Sequence, residues 1–88
     1  MLHCVVAVFD KAVQAYAKPM FVPALGAALR AFEDEVIRPD SEMGKHPEDY
    51  AMFHIGTYDD SSAELEKIEP LCIRRAHEVN RGLEAVNA

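Results

Sequence analysis

The sequence predicts a small α+β domain with the element order β-α-β-β-α, in which a three-stranded sheet containing antiparallel pairs carries two helices packed on one face. Three observations lead to this prediction. An apolar run at residues 2–9 suits a strand, apolar residues recur with helical spacing over 24–38, and a strand-like segment at 50–59 ends in an acidic turn. At 88 residues the chain suffices for one domain, 1–88, with a tail that we expect to fray from about residue 83.

The first predicted strand is the continuous apolar run at residues 2–9, which is typical of a central strand covered on both faces. The next segment, residues 11–23, is irregular, because Pro19 and Pro23 remove backbone donors and disfavour helix in the residues before them. We therefore predict an ordered crossover loop here, with its aromatic side chains docked on the core.

The clearest helix is predicted at residues 24–38. Pro23 suits the first helical position, where a missing N–H costs nothing, and Pro39 ends the helix. The apolar stripe of this helix recurs at i, i+4, i+7 and i+11, in Leu25, Leu29, Phe32 and Val36. A polar loop follows at residues 40–50.

A hairpin is predicted from strands at residues 50–59 and 63–68, joined by a turn in which Asp and Ser side chains bond nearby backbone donors. The return strand carries Glu64 and Glu66, so we expect it at a sheet edge, where charge prevents further pairing. Pro70 opens the second predicted helix. The apolar face of that helix comprises Cys72, Ile73, Ala76, Val79 and Leu83.

The formal net charge is −6, from 15 acidic residues against 9 Lys and Arg. Such a surface repels phosphate on average, which argues against bulk coating of DNA but leaves room for a local basic patch. The run at 2–9 is too short to span a bilayer and lacks a signal-peptide pattern, so we expect no membrane association. Cys4 and Cys72 are expected to be free, buried thiols in a reducing cytoplasm, since a disulfide would need their Cα atoms within about 7 Å.

No catalytic signature stands out, and we expect a protein with no enzymatic activity, no metal and no cofactor. The serines lie in loops without the context of a nucleophile elbow. The four histidines fall on different predicted elements, without the spacing of metal ligands. Asp59 and Asp60 would also suit a metal or acid/base pair, but stabilisation of the turn is the simpler interpretation.

Cations interleaved with aromatic side chains favour a surface for single-stranded nucleic acid, because bases stack on rings while phosphates pair with charge. This hypothesis requires the crossover loop and the polar loop to lie at one end of the sheet. The candidate residues are Lys11, Tyr16, Lys18, Arg30, Lys45, His46 and Tyr50. The alternative is that the aromatic rings belong to the core and the lysines are merely solvated. Arg30 also precedes Asp34 by one helical turn, which predicts an ion pair, either on the surface or buried under the crossover loop, where it would fix that loop.

Several segments, in their order and spacing, carry a resemblance to a known family. They are Val8-Phe9-Asp10, residues 17–23, residues 29–36, Lys45-His46-Pro47-Glu48-Asp49-Tyr50 and Ile55-Gly56-Thr57-Tyr58-Asp59-Asp60. In these segments, which span nearly the whole chain, it resembles the small nonstructural protein of gokushovirus-type microviruses, phages with single-stranded DNA genomes. The resemblance implies a DNA-binding or replication-accessory role in the host cytoplasm, at the switch from duplex amplification to single-strand synthesis. It assigns no site residues.

Two functions stay open at this point. The first is binding of single-stranded DNA through the two loops. The second is a non-enzymatic interaction module, a small homodimer that docks on a phage or host replication protein. Strand alternation over residues 50–59 predicts a half-exposed face for such docking, with Phe53 and Ile55 pointing the other way. The residues predicted on that face are Met52, His54 and Tyr58.

Overall fold

The computed structural model describes residues 1–79 and shows a mostly β protein, a curled antiparallel sheet with a few short helices. Its strands are β1 Leu2–Asp10, β2 Ala15–Tyr16, β3 Met20–Val22, β4 Tyr50–Asp59 and β5 Glu64–Arg75. Its helices are α1 Leu25–Ile37 and α2 Glu42–Lys45, and a 3-10 turn, Pro47–Asp49, leads into β4. Residues 76–79 are also helical.

The sheet has the strand order β2-β1-β4-β5, and every neighbouring pair is antiparallel. β2 pairs with the end of β1, where Phe9 lies opposite Tyr16. β3 pairs with the first half of the same edge, where Cys4 lies opposite Val22. β1 is therefore internal to the sheet, because the crossover supplies its second neighbour.

The predicted fold class, a three-stranded sheet with two helices on one face, is wrong. The crossover at residues 11–23 contributes β2 and β3, which are too short to show a periodic pattern. Residues 70–75, predicted to begin a second helix, continue β5, since β4 supplies partners for their backbone from Leu71 to Arg75. The helical conformation begins only at Ala76. The rest of that predicted helix and the predicted frayed tail lie outside the described residues.

Two irregularities curl the sheet at Ile55. On the β1 side, Val5 pairs with Gly56 and Val6 with His54, so Ile55 is an extra residue on β4. On the β5 side, residues 68–70 lie opposite the same position. A Cβ atom at Gly56 would lie 2.5 Å from a backbone carbonyl oxygen of β5, so only glycine permits this approach. The bend gives the sheet a concave face.

The core lies on the other face of the sheet, under α1. Val6, Val8 and Met52 point toward the helix and pack on its apolar stripe. Phe32 and Val36, each 2% exposed, confirm the second half of the predicted stripe, and Leu25 packs against the cluster while remaining partly exposed. The remaining buried members of this cluster are Ala28, Ala76 and Val79. No helix of residues 1–79 covers the opposite face of the sheet, although Val5 and Ala7 on that face are only 5% and 1% exposed.

Two further sequence-based expectations concern the membrane and the cysteines. Within residues 1–79, no helix is both long and apolar enough to cross a bilayer. Cys4 and Cys72 are free thiols, and each is partly buried. They lie on β1 and β5, with β4 between the two strands.

Candidate functional site

The concave face of the sheet, opposite α1, is apolar and carries no helix of the described residues, with buried Val5 and Ala7 at its centre and exposed rings at its ends. Because Val6 and Val8 point into the core, the alternating residues Val5, Ala7 and Phe9 point the other way. A groove of about 490 Å³ runs along this side. We call this side the open face. The groove is lined by Val5, Ala7, Tyr16, Ala17, Pro19, Phe21, Ile55, Gly56, Leu65, Glu66, Lys67 and Pro70.

One aromatic cluster lies at the β2 end of the open face. The ring centroid of Tyr16 lies 4.9 Å from that of Phe9 and 5.6 Å from that of Phe53, and both contacts are edge-on. The pairing of Tyr16 with Phe9 across β1 and β2 places these two rings on the same side of the sheet. The side chain of Tyr16 remains 44% exposed.

A second aromatic pair lies at the β3 end. The rings of Phe21 and Tyr58 meet edge-on, with 5.3 Å between centroids. Phe21 lies opposite Val5 on β1 and is 50% exposed. Phe9, in the first cluster, follows Val5 by four residues, so the two aromatic groups lie about 13 Å apart along the strand. The aliphatic floor of the groove separates them.

Two lysines flank the open face on opposite sides. Lys67 lines the groove from β5, and Lys18 is exposed between two lining residues of the crossover. Acidic residues are sparse here: within the described part of the chain, Glu66 is the one acid that lines the groove. By contrast, α1 carries three consecutive acidic residues, at positions 33–35. The net negative charge of the chain is therefore unevenly distributed.

A second pocket, of about 330 Å³, adjoins the first aromatic cluster, and we call it the end pocket. It is lined by Phe9, Lys11, Glu48, Asp49, Tyr50, Ala51, Phe53, Arg75 and His77. The backbone N–H of Lys11 donates to the carbonyl oxygen of Asp49 at 2.7 Å, which joins the crossover to the polar loop. Burial raises the pKa of Tyr50, and the carboxylates of Asp10 and Glu42 add to the effect.

The structure brings together only some of the predicted nucleic-acid residues. Lys11 and Tyr50 both line the end pocket, and Tyr16 lies on the open face. The others are Lys18 in the crossover, Arg30 on α1, Lys45 at the end of α2 and His46 directly after it. Among residues 1–79, no hydrogen bond or ion pair links these four to one another. The crossover loop and the polar loop meet at Lys11. The other four candidate residues lie elsewhere on the surface.

The ion pairs of α1 also differ from the prediction. Arg30 and Asp34 do not pair in the described part of the chain; instead, Arg74 Nη2 lies 2.8 Å from Glu33 Oε2 and ties β5 to the helix. Arg38 donates two hydrogen bonds to the carboxylate of Glu35, at 3.1 and 2.8 Å. The surface of α1 is thus engaged in structural contacts.

The predicted docking face is wrong, because its three residues do not share one side. Met52 is 1% exposed and belongs to the core under α1. His54 lies opposite Val6 on the same buried side, and its Nε2 atom has no hydrogen-bond partner among the described residues. Tyr58 lies on the open face, because the extra residue Ile55 reverses the strand alternation. The prediction fails because α1 packs over Met52 and because the bulge at Ile55 places Tyr58 on the opposite face.

The acidic turn after β4 has a structural role. The Asp59 carboxylate accepts hydrogen bonds from the hydroxyl and the backbone N–H of Ser61, which confirms the predicted stabilisation of the turn and lowers the pKa of Asp59. The Asp60 carboxylate meets the amino group of Met1 at 2.6 Å and His3 Nε2 at 2.9 Å, and these contacts lower its pKa. In residues 1–79, no group of three or more His, Cys, Asp or Glu is placed to hold a metal ion.

Sequence reasoning missed several residues of the open face, including Phe9, Phe53 and Lys67. The signal was present in the continuous apolar run of β1, which is apolar on both faces although α1 covers only one. On the side away from α1, side chains of the crossover and of the neighbouring strands bury Val5 and Ala7, and these side chains form the open face.

The fold and its open face define a small β-sheet protein with an apolar groove available for binding. Residues 3–79 match the sequence family described as Phage ORF5 protein, so the chain belongs to that family and is a phage protein. Neither the curated proteins nor the solved structures include a significant match.

Proposed function

We propose that this Phage ORF5 protein is a non-enzymatic accessory protein of a gokushovirus-type microvirus that binds single-stranded DNA in the host cytoplasm, during genome replication or the switch to single-strand synthesis. The observation that carries the proposal is the arrangement of the open face, where two aromatic groups lie on one surface and Lys18 and Lys67 flank it. The resemblance to the nonstructural protein of microviruses supports the choice of nucleic acid.

Exposed aromatic rings favour a single strand over a duplex. Stacking requires bases that are free of their neighbours, and each stacked base contributes about 1–3 kcal/mol. Tyr16 and Phe21, which are 44% and 50% exposed, offer such contacts at the two ends of the groove. A duplex hides its base faces and presents mainly phosphate, which the net charge of −6 repels. Stacking, and not charge, therefore supplies most of the affinity.

The salt dependence of binding follows from the two flanking lysines. For single strands, log K falls with log salt concentration by about 0.7 for each neutralised phosphate, so two contacts give a slope of about −1.4. Fluorescence anisotropy with a short oligo-dT, starting at about 20 mM salt, measures this slope directly. The variant with Lys18→Gln and Lys67→Gln is expected to bind more weakly and with a slope near zero.

One further variant, Lys45→Gln, distinguishes DNA binding at the open face from DNA binding through the crossover and polar loops, which the sequence suggests. Lys45 is exposed at the end of α2 and does not line the groove. Binding through the open face predicts an unchanged affinity for Lys45→Gln, whereas binding through the polar loop predicts a loss. Absence of any binding at low salt, or a preference for duplex DNA, would contradict the proposal.

A second candidate function is favoured by the apolar character of the open face and its border. Leu65 is 64% exposed, Phe21 50% and Tyr16 44%, and apolar surface of this kind is typical of protein interfaces. In this alternative a second copy of the chain covers the face, and the homodimer docks on a phage or host replication protein. Sedimentation equilibrium tests it: the wild type should dimerise and Leu65→Asp should remain monomeric. A monomeric wild type at high concentration would contradict it.

A further inference from the structure

We infer that the end pocket binds the terminal phosphate of the DNA strand whose bases lie on the open face. The inference rests on the proposed function, and it assigns a polar site to one end of an otherwise apolar surface. The end pocket and the aromatic cluster share two walls, Phe9 and Phe53. A strand that stacks on this cluster therefore has its next sugar and phosphate directed toward the pocket.

The cations of the end pocket are free to meet an anion. Lys11 follows β1 and Arg75 ends β5, so they approach the pocket from different elements. In residues 1–79 neither side chain has a carboxylate partner, in contrast to Arg74, which is paired with Glu33. The main chain at both positions is fixed: the Lys11 N–H donates to Asp49, and the Arg75 N–H donates to the Glu78 carboxylate at 2.9 Å.

The other charged groups of the pocket restrict what enters it. His77 Nδ1 lies 3.9 Å from a carboxylate oxygen of Glu48, and Asp49 also lines the pocket. These carboxylates weaken binding of a free anion, so inorganic phosphate alone has little affinity. A phosphate attached to a strand that is already stacked on Phe9 and Phe53 arrives at high effective concentration. The volume of about 330 Å³ exceeds that of one phosphate group and also admits the terminal sugar.

Three oligo-dT strands of equal length test the inference: one with a 5′-phosphate, one with a 3′-phosphate and one with hydroxyls at both ends. The net charge of −6 predicts, on its own, that an added phosphate weakens binding. A site at the end pocket predicts the reverse, with one of the two phosphorylated strands bound about fivefold more tightly than the hydroxyl strand. The strand that gains affinity identifies the polarity of binding.

Substitutions in the end pocket test whether the gain in affinity for a phosphorylated strand arises there. The variant with Lys11→Gln and Arg75→Gln should lose the gain and keep its affinity for the hydroxyl strand, while Lys45→Gln should retain both. Equal affinities for the three strands, or a gain that survives in the Lys11→Gln and Arg75→Gln variant, would overturn the inference and leave DNA binding by the open face intact. Failure of all three strands to bind would overturn both proposals.

Discussion

The ring of Tyr16 lies edge-on against the ring of Phe53, with 5.6 Å between their centroids and 83° between their planes. Because β2 and β4 lie on opposite sides of β1, this contact crosses the central strand. It fastens a strand of only two residues to the long hairpin, with Phe9 as the third ring. The aromatic docking adds to the backbone hydrogen bonds of the crossover, such as the one from the Ala17 N–H to the Val8 carbonyl oxygen at 2.8 Å.

The first prediction concerns that contact. Tyr16→Ala should lower the free energy of unfolding by about 1–2 kcal/mol, since an edge-on aromatic pair adds about 0.5–1.5 kcal/mol to the burial of its area. Tyr16→Phe keeps the ring and should stay within about 0.5 kcal/mol of wild type. Urea unfolding followed by circular dichroism measures both variants. Equal losses in the two would show that the hydroxyl, and not the ring, holds the crossover.

A matched pair of glycine substitutions tests the curl of the sheet. Gly56→Ala places a Cβ atom 2.5 Å from the carbonyl oxygen of Glu66 and should cost about 1–3 kcal/mol. Gly26→Ala, near the start of α1, meets no atom within 4 Å and should stabilise the protein by up to about 1 kcal/mol. Thermal melts of the two variants should therefore shift in opposite directions. A neutral Gly56→Ala would mean that β4 and β5 do not approach so closely.

The orientation of β4 is tested by its most buried side chain. Met52→Ala should cost about 2–5 kcal/mol, because the side chain is 1% exposed and its removal leaves a cavity under α1. Leu71→Ala, at a position that is 59% exposed, should change stability by no more than about 0.5 kcal/mol. Denaturant midpoints at equal slope give both values. Similar costs for the two would place Met52 on the surface, as the sequence pattern had suggested.

The loop after α1 gives a pH dependence of stability. Hydrogen bonds from Arg38 and Ser41 lower the pKa of Glu35 in the folded protein. A carboxylate with a depressed pKa stabilises the fold above its unfolded pKa, and this contribution is lost as the pH falls through the folded value. Glu35→Gln should therefore be less stable than wild type at pH 7, and the difference should shrink below about pH 4.5.

The comparison for this variant is Asp34→Asn, an exposed neighbour on the same helix that makes none of these contacts. Its stability should follow that of the wild type through the same pH range. Denaturant melts at pH 7, 5 and 3 provide the data. A difference between Glu35→Gln and wild type that stays constant with pH would assign the effect to packing.

Part of the fold could be predicted because the relevant signals are local. The stripe containing Phe32 and Val36 specifies the buried side of α1, and the turn at Asp59 specifies the hairpin. The short strands β2 and β3 have no such signal, since pairing with β1 alone makes them strands. Beyond Pro70 the apolar spacing fits both a helix and a strand, and pairing with β4 decides for the strand up to Arg75.

The candidate site was harder to predict, because it depends on which side of the sheet the helix covers. Tyr16 was identified from the sequence and lies on the open face, whereas Phe53 was assigned to the opposite side from Tyr58. The bulge at Ile55 brings those two rings to one face. The clearest sign of this bulge in the sequence is Gly56, the residue that follows it. Lys67 lies at the site because β5 pairs with β4 along most of its length, which places Lys67 opposite Gly56.

The most direct test of DNA binding by the open face is a methyl NMR titration with unlabelled oligo-dT. Adjacent residues of β1 report on the two sides of the sheet. Binding at the open face predicts that the methyl signals of Val5 and Ala7 shift on addition of oligo-dT, while those of Val6 and Val8, in the core under α1, remain in place. No shifts, or shifts confined to Val6, Val8 and α1, would contradict the account.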